Sequence, residues 1–193
     1  MITFQKIKWK NFLSTGDHFS EIDFTKNGTN LIVGTNGTGK STVLDALTFS
    51  LFNKPFRKIN KSQLINATNE KDCLVEVEFN INGKEYLVRR SIKPNLFEIE
   101  VNGQKMHKQA DDRAMQKILE ENILKVNYKS FTQIVILGSS AFVPFMQLSG
   151  TNRREVIEDL LDIRIFSAMN TIISYKIRKH NEEIQVLDLK KDN

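Results

Sequence analysis

The chain has 193 residues, 40% of them hydrophobic and 26% charged, with a formal net charge of +5. That size suits one domain with an appendage, and such a chain can bury roughly 70% of its unfolded surface without a disulfide staple. The single cysteine, Cys73, excludes an internal disulfide framework and points to a reducing compartment. No signal-peptide pattern is visible, and no apolar run approaches the ~20 residues of a membrane helix, so a cytoplasmic location without membrane contact is expected.

The first segment, "ITFQKIKWKNF", alternates apolar and basic residues and reads as a strand with one wet face and a slip in register. Ser14 to Asp17 is turn chemistry, and Phe19 to Phe24 alternates again. Asn27-Gly28 is a hairpin signal that should lead into "NLIV", a short buried strand. From Ser41, the residues Val43, Leu44, Leu47, Leu51 and Phe52 fall at helical spacing, and Pro55 is expected to stop that helix. A basic, polar stretch follows to about Asn69.

Next comes an antiparallel meander. "CLVEVEFNI", "KEYLVRRSI" and "LFEIEV" are separated by turns, two of them Asn-Gly pairs at Asn82-Gly83 and Asn102-Gly103. Cys73 reads as a small half-buried residue entering the first of these strands. Residues 109–125 read as a helix, and Ser130 to Gly138 as a buried strand carrying Gln133. "QLSGTN" reads as a loop. Asn152 is expected to cap a last helix, with Glu155 completing a capping box. That helix runs to the end with Phe166, Met169, Ile173, Ile177, Ile184 and Leu187 in a stripe, the pattern of a coiled-coil root.

The strongest chemical signal lies between "NLIV" and the first helix. Gly34-Thr35-Asn36-Gly37-Thr38-Gly39-Lys40-Ser41 has the G-x-x-x-x-G-K-S spacing of a phosphate loop. The glycines let several backbone amides converge on one phosphate, and the helix N-terminus adds partial positive charge. Gly34, Asn36, Gly37, Thr38 and Gly39 form the cradle. Lys40 should reach the terminal phosphates, the Ser41 hydroxyl should coordinate Mg2+, and Thr42 is placed for another phosphate. The N-K-x-D guanine reader of small GTPases is missing, since Asn53-Lys54-Pro55-Phe56 lacks the aspartate. A second element is missing too. P-loop ATPases place a carboxylate after a second buried strand, and here "IVIL" runs into glycine. Residues 54–61 hold Lys54, Arg57, Lys58 and Lys61 and no acid. That excess makes the four candidates for contact with DNA phosphates or with a nucleotide bound by a partner subunit.

Taken together, "KNFLSTGD", "NLIVGTNGTGKSTVLDALTFSLF", "SFTQIVILG" and "RREVIEDLLDI" resemble the SMC-like ATPases of DNA repair, most nearly the large subunits of SbcC-type recombination nucleases, phage members included. The resemblance covers essentially the whole chain. It implies an α/β fold: the N-terminal half-domain of an ABC-type ATPase head over residues 1–162, with a coiled-coil root at 163–193. It implies ATP and Mg2+ as ligands, Gln133 as the glutamine that touches Mg2+ and the attacking water, and Asn11 and Ser14 near the adenine. Leu13 stands where several relatives have arginine. The missing carboxylate, the catalytic glutamate and the signature motif would lie in a C-terminal lobe of the same protein. The implied partners are that lobe, a second head, a metal-dependent nuclease and double-stranded DNA. Two alternatives remain at this point: an architectural SMC protein without a nuclease, and a small-molecule P-loop kinase.

Overall fold

A computed structural model describes residues 2–26, 28–106, 111–136, 145–161 and 163–191. The chain divides into two compact units, residues 1–142 and 143–193.

The first unit is built on a six-stranded antiparallel sheet in the order β2-β1-β3-β4-β5-β6. The strands are β1 Ile2–Lys10, β2 Ser20–Asp23, β3 Cys73–Ile81, β4 Lys84–Ile92, β5 Leu96–Val101 and β6 Gln104–Lys105. The expected slip in β1 is present, as the register against β3 shifts between Phe4 and Lys6. Such a shift leaves one residue unpaired and reverses the side-chain alternation beyond it. The two Asn-Gly turns carry left-handed backbone at both positions (φ 51 and 83 at Asn82 and Gly83, 49 and 76 at Asn102 and Gly103), as tight hairpins require.

The sheet has one dry face and one wet face. On β3, Cys73, Val75, Val77 and Phe79 are fully buried. Burial pushes the Cys73 thiol up to about 12, which fits an inert packing residue. The intervening residues form a charged row across the strands. Lys8 lies opposite Glu76, Glu76 opposite Arg89, and Arg89 opposite Glu98. Arg89 Nε meets Glu76 at 3.0 Å, and Lys105 meets Glu98 at 2.7 Å. Unlike charges directly opposite one another help to fix the register.

Helix α1, Thr42–Phe52, lies on the dry face, with Ala46, Phe49, Leu51 and Phe52 in the core. Burying each of the larger of these side chains is worth roughly 1.5–3 kcal/mol. The helix stops at Asn53, whose left-handed backbone (φ 58) turns the chain before Pro55 is reached. Its last carbonyls would otherwise be orphaned in the core. Arg90 Nε donates to Ser50 O at 2.9 Å, and Gln116 Nε2 donates to Leu51 O at 2.9 Å.

Four expectations fail. "NLIV" forms no strand: Leu31 and Val33 are 84% and 79% exposed. Every described strand pairs antiparallel within the β2-to-β6 ladder, so this run has no neighbour to complete it. The expected hairpin at Asn27-Gly28 accordingly does not form, since no strand follows it, and Asn27 itself lies outside the described residues. Of the strand expected at 130–138, residues 137–138 lie outside the described residues, and 130–134 belong instead to helix α3, Tyr128–Ile134. Asn127 starts it by accepting from the Ser130 amide at 2.9 Å, and Phe131 packs against Phe4 and Phe52. Finally, Asn152 is not the cap of the last helical region. Helix α4 spans Gly150–Leu160, and Ser149 Oγ accepts from the Asn152 amide at 3.3 Å.

Between β6 and α3, the helix expected at 109–125 is a short α2, Asp112–Lys117, continued as a π-helix over Ile118–Leu124. In the second unit, α5 spans Arg164–Lys191. At 1.5 Å per residue it is about 42 Å long. Phe166, Met169, Ile173, Ile177, Ile184 and Leu187 are all exposed along it. Among the described residues, no helix is long and apolar enough to cross a membrane.

Candidate functional site

The phosphate loop joins the bare 30–33 segment to the buried helix α1. Gly37 and Gly39 have φ of +88 and +90, a backbone that side chains resist. At Gly39 a Cβ would also stand 3.2 Å from Thr42 Oγ1 and 3.4 Å from Ser14 Oγ. At Gly34 a Cβ would stand 2.6 Å from Thr38 Oγ1. The motif glycines therefore allow both the turn and the close approach of neighbouring hydroxyls. Thr38 Oγ1 donates to Thr35 O at 2.8 Å, which tightens the loop.

Lys40 curls back over the loop. Its Nζ donates to the carbonyls of Gly34 and Thr35, each at 2.7 Å. The ammonium is thus held at the loop by neutral acceptors, which a phosphate oxygen could outbid by charge. Ser41 occupies the N-cap position, yet its side chain makes no capping bond. Its hydroxyl remains available to a metal ion, and an oxygen donor suits Mg2+.

A cavity of about 520 Å³ opens beside this loop. Asn36, Gly37, Gly39, Lys40, Ser41 and Thr42 line one side. Leu13, Ser14, Arg57, Gln63, Ile65 and Ala67 supply the rest. The volume is in the range of small-molecule and cofactor sites. The glycine-lined cradle, the lysine and the uncommitted hydroxyl fit a nucleotide phosphate chain with a divalent cation.

The sequence-derived residues divide clearly. Ser14 reaches the cavity, whereas Asn11 does not line it. Asn11 is buried and its amide is spent: Oδ1 accepts from Asn69 at 2.6 Å, and Nδ2 donates to Asp72 O at 3.4 Å. Gln133 is in the last turn of α3 and is not among the cavity residues. Its Oε1 is buried and accepts no hydrogen bond among the described residues, so one polar atom is left for an outside donor or cation. Of the four basic candidates, Arg57 lines the cavity and pairs with Asp45. Lys54 lies over the Tyr128 ring and Lys61 over the Phe49 ring. Burial, then the nearby Arg90 charge, lower the pKa of Lys61. Lys58 is exposed.

Sequence reasoning missed the far wall of the cavity. Gln63 and Ile65 belong to a 3-10 turn at Lys61–Leu64 and the residue after it. The spacing of Asn60 and Gln63 does carry a capping-box signal, and Gln63 Oε1 accepts from the Asn60 amide at 2.9 Å. Asn66 was also missed. It donates to Leu13 O and Thr15 O at 3.1 Å each, and accepts from the amides of Thr68 and Asn69. One buried amide thereby pins the 11–16 loop beside the phosphate loop, and no local pattern announces it.

A family model described as an AAA domain matches residues 6–192. A protein of Escherichia phage RB69 named exonuclease subunit 2 is 43% identical over 97% of the chain. One of the same name in Enterobacteria phage T4 is 44% identical over 86%. The chain covers 33% and 30% of these proteins, about a third of their length. The SbcC subunit of nuclease SbcCD, from Clostridium acetobutylicum, is 33% identical over 91% of the chain, which covers 16% of that protein. Among solved structures, a chain from work on ATP-driven dimerization and DNA-stimulated activation of SMC ATPases superposes with a TM-score of 0.56 at 28% identity, covering 82% of this chain and 99% of that one. The Smc head domain of Pyrococcus furiosus, with an extended coiled coil and bound to the C-terminal domain of ScpA, shares the fold at a TM-score of 0.64 and 24% identity, over 98% of this chain and 49% of that one.

Proposed function

The chain belongs to the AAA domain family, and from that premise we propose that it is the N-terminal, nucleotide-binding lobe of an SMC-type ATPase head serving a DNA-recombination nuclease. The carrying observation is the phosphate loop, with its two left-handed glycines and Lys40 folded over its carbonyls beside a 520 Å³ cavity. ATP is the ligand. Gly34, Asn36, Gly37, Thr38 and Gly39 wrap its phosphates, Lys40 neutralises them, and Thr42 adds a hydroxyl. Ser41 would hold Mg2+, and Gln133, which does not line this cavity, would join it only in the assembled head. When bound, the metal neutralises charge on the phosphates. Ser14 and Leu13 face the rest of the nucleotide. Asn11 serves this wall indirectly, as a buried support of its loop.

A C-terminal lobe of the same protein supplies what these residues lack: a carboxylate for the metal, a general base and the signature loop. Its natural seat includes Leu31, Ile32 and Val33, an apolar run that is exposed here. Two such heads closing on ATP and opening after hydrolysis would give the cycle, because the γ-phosphate makes contacts in only one of the two states. The nuclease reading is preferred over an architectural SMC role because the phage relatives at 43% and 44% identity are named exonuclease subunits. The partner is then a metal-dependent nuclease subunit, with duplex DNA across the closed heads and α5 as the root of a coiled coil.

Lys40→Ala tests the cradle. It removes a charge-assisted phosphate contact worth roughly 1.5–3 kcal/mol, one to two decades in affinity. Titration of a fluorescent ATP analogue with Mg2+ reads the change, and unaltered affinity refutes the assignment. For DNA, Lys58 is the strongest of the four basic candidates, since Lys54, Arg57 and Lys61 already have intramolecular partners. Lys58→Glu should weaken duplex binding by the assembled head and flatten its salt dependence by about one unit of slope. An unchanged slope removes Lys58 from the DNA interface.

A further inference from the structure

Helix α1 carries a carboxylate that the phosphate loop does not use. Asp45 lies one turn beyond Ser41, and its side chain is fully buried. Its Oδ1 accepts from the Arg57 backbone amide at 2.9 Å, and its Oδ2 accepts from Arg57 Nε at 2.6 Å. Both oxygens are therefore committed to one residue, twelve positions away in the chain. The side-chain bond uses the Nε edge of the guanidinium. The terminal nitrogens, with four of the five donors, remain on a side chain that is 47% exposed and borders the cavity with Lys40, Ser41 and Thr42.

The energetics argue for orientation rather than stability. A carboxylate taken fully out of water loses hydration that a single ion pair barely restores, and an apolar residue of similar volume is often as stable. Two features give the carboxylate a use. It sits in the first turn of α1, where the helix dipole favours a negative charge. And it grips Arg57 by backbone and side chain at once, which fixes both the loop after α1 and the direction of the guanidinium. The same loop is anchored two residues earlier, where the Tyr128 hydroxyl donates to Pro55 O at 2.8 Å.

We propose that Asp45 is a positioning residue for nucleotide binding: it holds Arg57 at the cavity wall as a second cation for the phosphate chain, complementing Lys40. The proposal rests on reading the cavity as a nucleotide site. A guanidinium so held needs no reorganisation when an anion arrives, and its fork suits phosphate oxygens.

The test is a double-mutant cycle on the 193-residue chain, with Asp45→Asn, Arg57→Ala and the double variant. Each is titrated with a fluorescent ATP analogue and Mg2+, and each is followed by thermal unfolding. Asparagine keeps an acceptor for the Arg57 amide but loses the second carboxylate oxygen that accepts from Nε. Each single variant should bind about tenfold more weakly, and the double no more weakly than either single, because both changes remove one unit. Wild-type affinity in folded Asp45→Asn, or losses that multiply to about a hundredfold, overturns the proposal. Arg57→Lys guards against an unfolded Asp45 variant, because it leaves the buried carboxylate a charged partner. Its single ammonium is drawn onto Asp45, so it should lose as much affinity as Arg57→Ala. Full affinity in Arg57→Lys also overturns the proposal. Lys40→Ala separates the two levels: if it too binds normally, the nucleotide reading fails, whereas normal binding confined to the Asp45 and Arg57 variants removes only the positioning role.

Discussion

The meander and the segment that enters the phosphate loop are both apolar, yet β3 is dry while Leu31 and Val33 stand in solvent. On β3, Val75, Val77 and Phe79 face Arg90, Val88 and Tyr86 across a nine-residue register, and the turn at Asn82-Gly83 brings that partner strand back at once. Residues 30–33 have no such partner in the antiparallel ladder. Their amides and side chains have the composition of a strand but not its company. An exposed apolar run of this kind is a docking surface or an aggregation hazard, and in the proposed function it is where a C-terminal lobe would dock.

Substitutions sharpen that contrast. Phe79→Ala empties a fully buried site that touches Phe4 and stacks on Tyr86, and should cost about 3–5 kcal/mol of stability. Val33→Asp, at a site 79% exposed, should change the stability of this chain by less than ~0.5 kcal/mol. Urea unfolding of both variants measures the pair, and similar losses would mean that residues 30–33 are packed after all. If the proposed C-terminal lobe docks on this run, Val33→Asp should nonetheless abolish its binding. Between these extremes lies Gly39→Ala. It forces a side chain into φ +90 and against Thr42 and Ser14, at a cost of roughly 1–2 kcal/mol. That strain should lower the urea midpoint by a corresponding intermediate amount, and the displaced loop should bind nucleotide about tenfold more weakly. Retained affinity would show that the loop does not hold this shape when nucleotide binds.

What could be read in advance follows the same division between local and distant partners. The hairpins at Asn82-Gly83 and Asn102-Gly103 were legible because their Asn-Gly pairs are flanked by two-residue alternation, and both are local signals. The phosphate loop was legible because its spacing is a motif. Residues 130–134 were misread because β-branched and aromatic residues in a short run suit a strand or a buried helix equally. The aromatic contacts of Phe131 with Phe4 and Phe52, and the Asn127 cap, settle the matter in favour of a helix. Helix α1 ends at Asn53 rather than through Pro55, because asparagine tolerates a left-handed backbone and can act first. The Asp45–Arg57 pair was not legible, nor was the placement of Gln63, Ile65 and Ala67 on the far wall, although the capping box of Asn60 and Gln63 is a local signal. They join segments whose proximity only the folded sheet creates.

The central claim is that this chain holds a nucleotide but has only half of the apparatus that hydrolyses it. Phosphoryl transfer draws on positioning and charge stabilisation from all of the parts together, and removal of a whole set typically costs several decades of rate. The most direct measurement is steady-state turnover of saturating MgATP, by the 193-residue chain alone and by the same chain joined through a short linker to the C-terminal lobe. The account predicts nucleotide binding in both, negligible turnover in the first, and turnover abolished by Lys40→Ala in the second. Rapid, saturable hydrolysis by the chain alone, lost in Lys40→Ala, would contradict it and would mean that residues 1–193 already contain a complete active site.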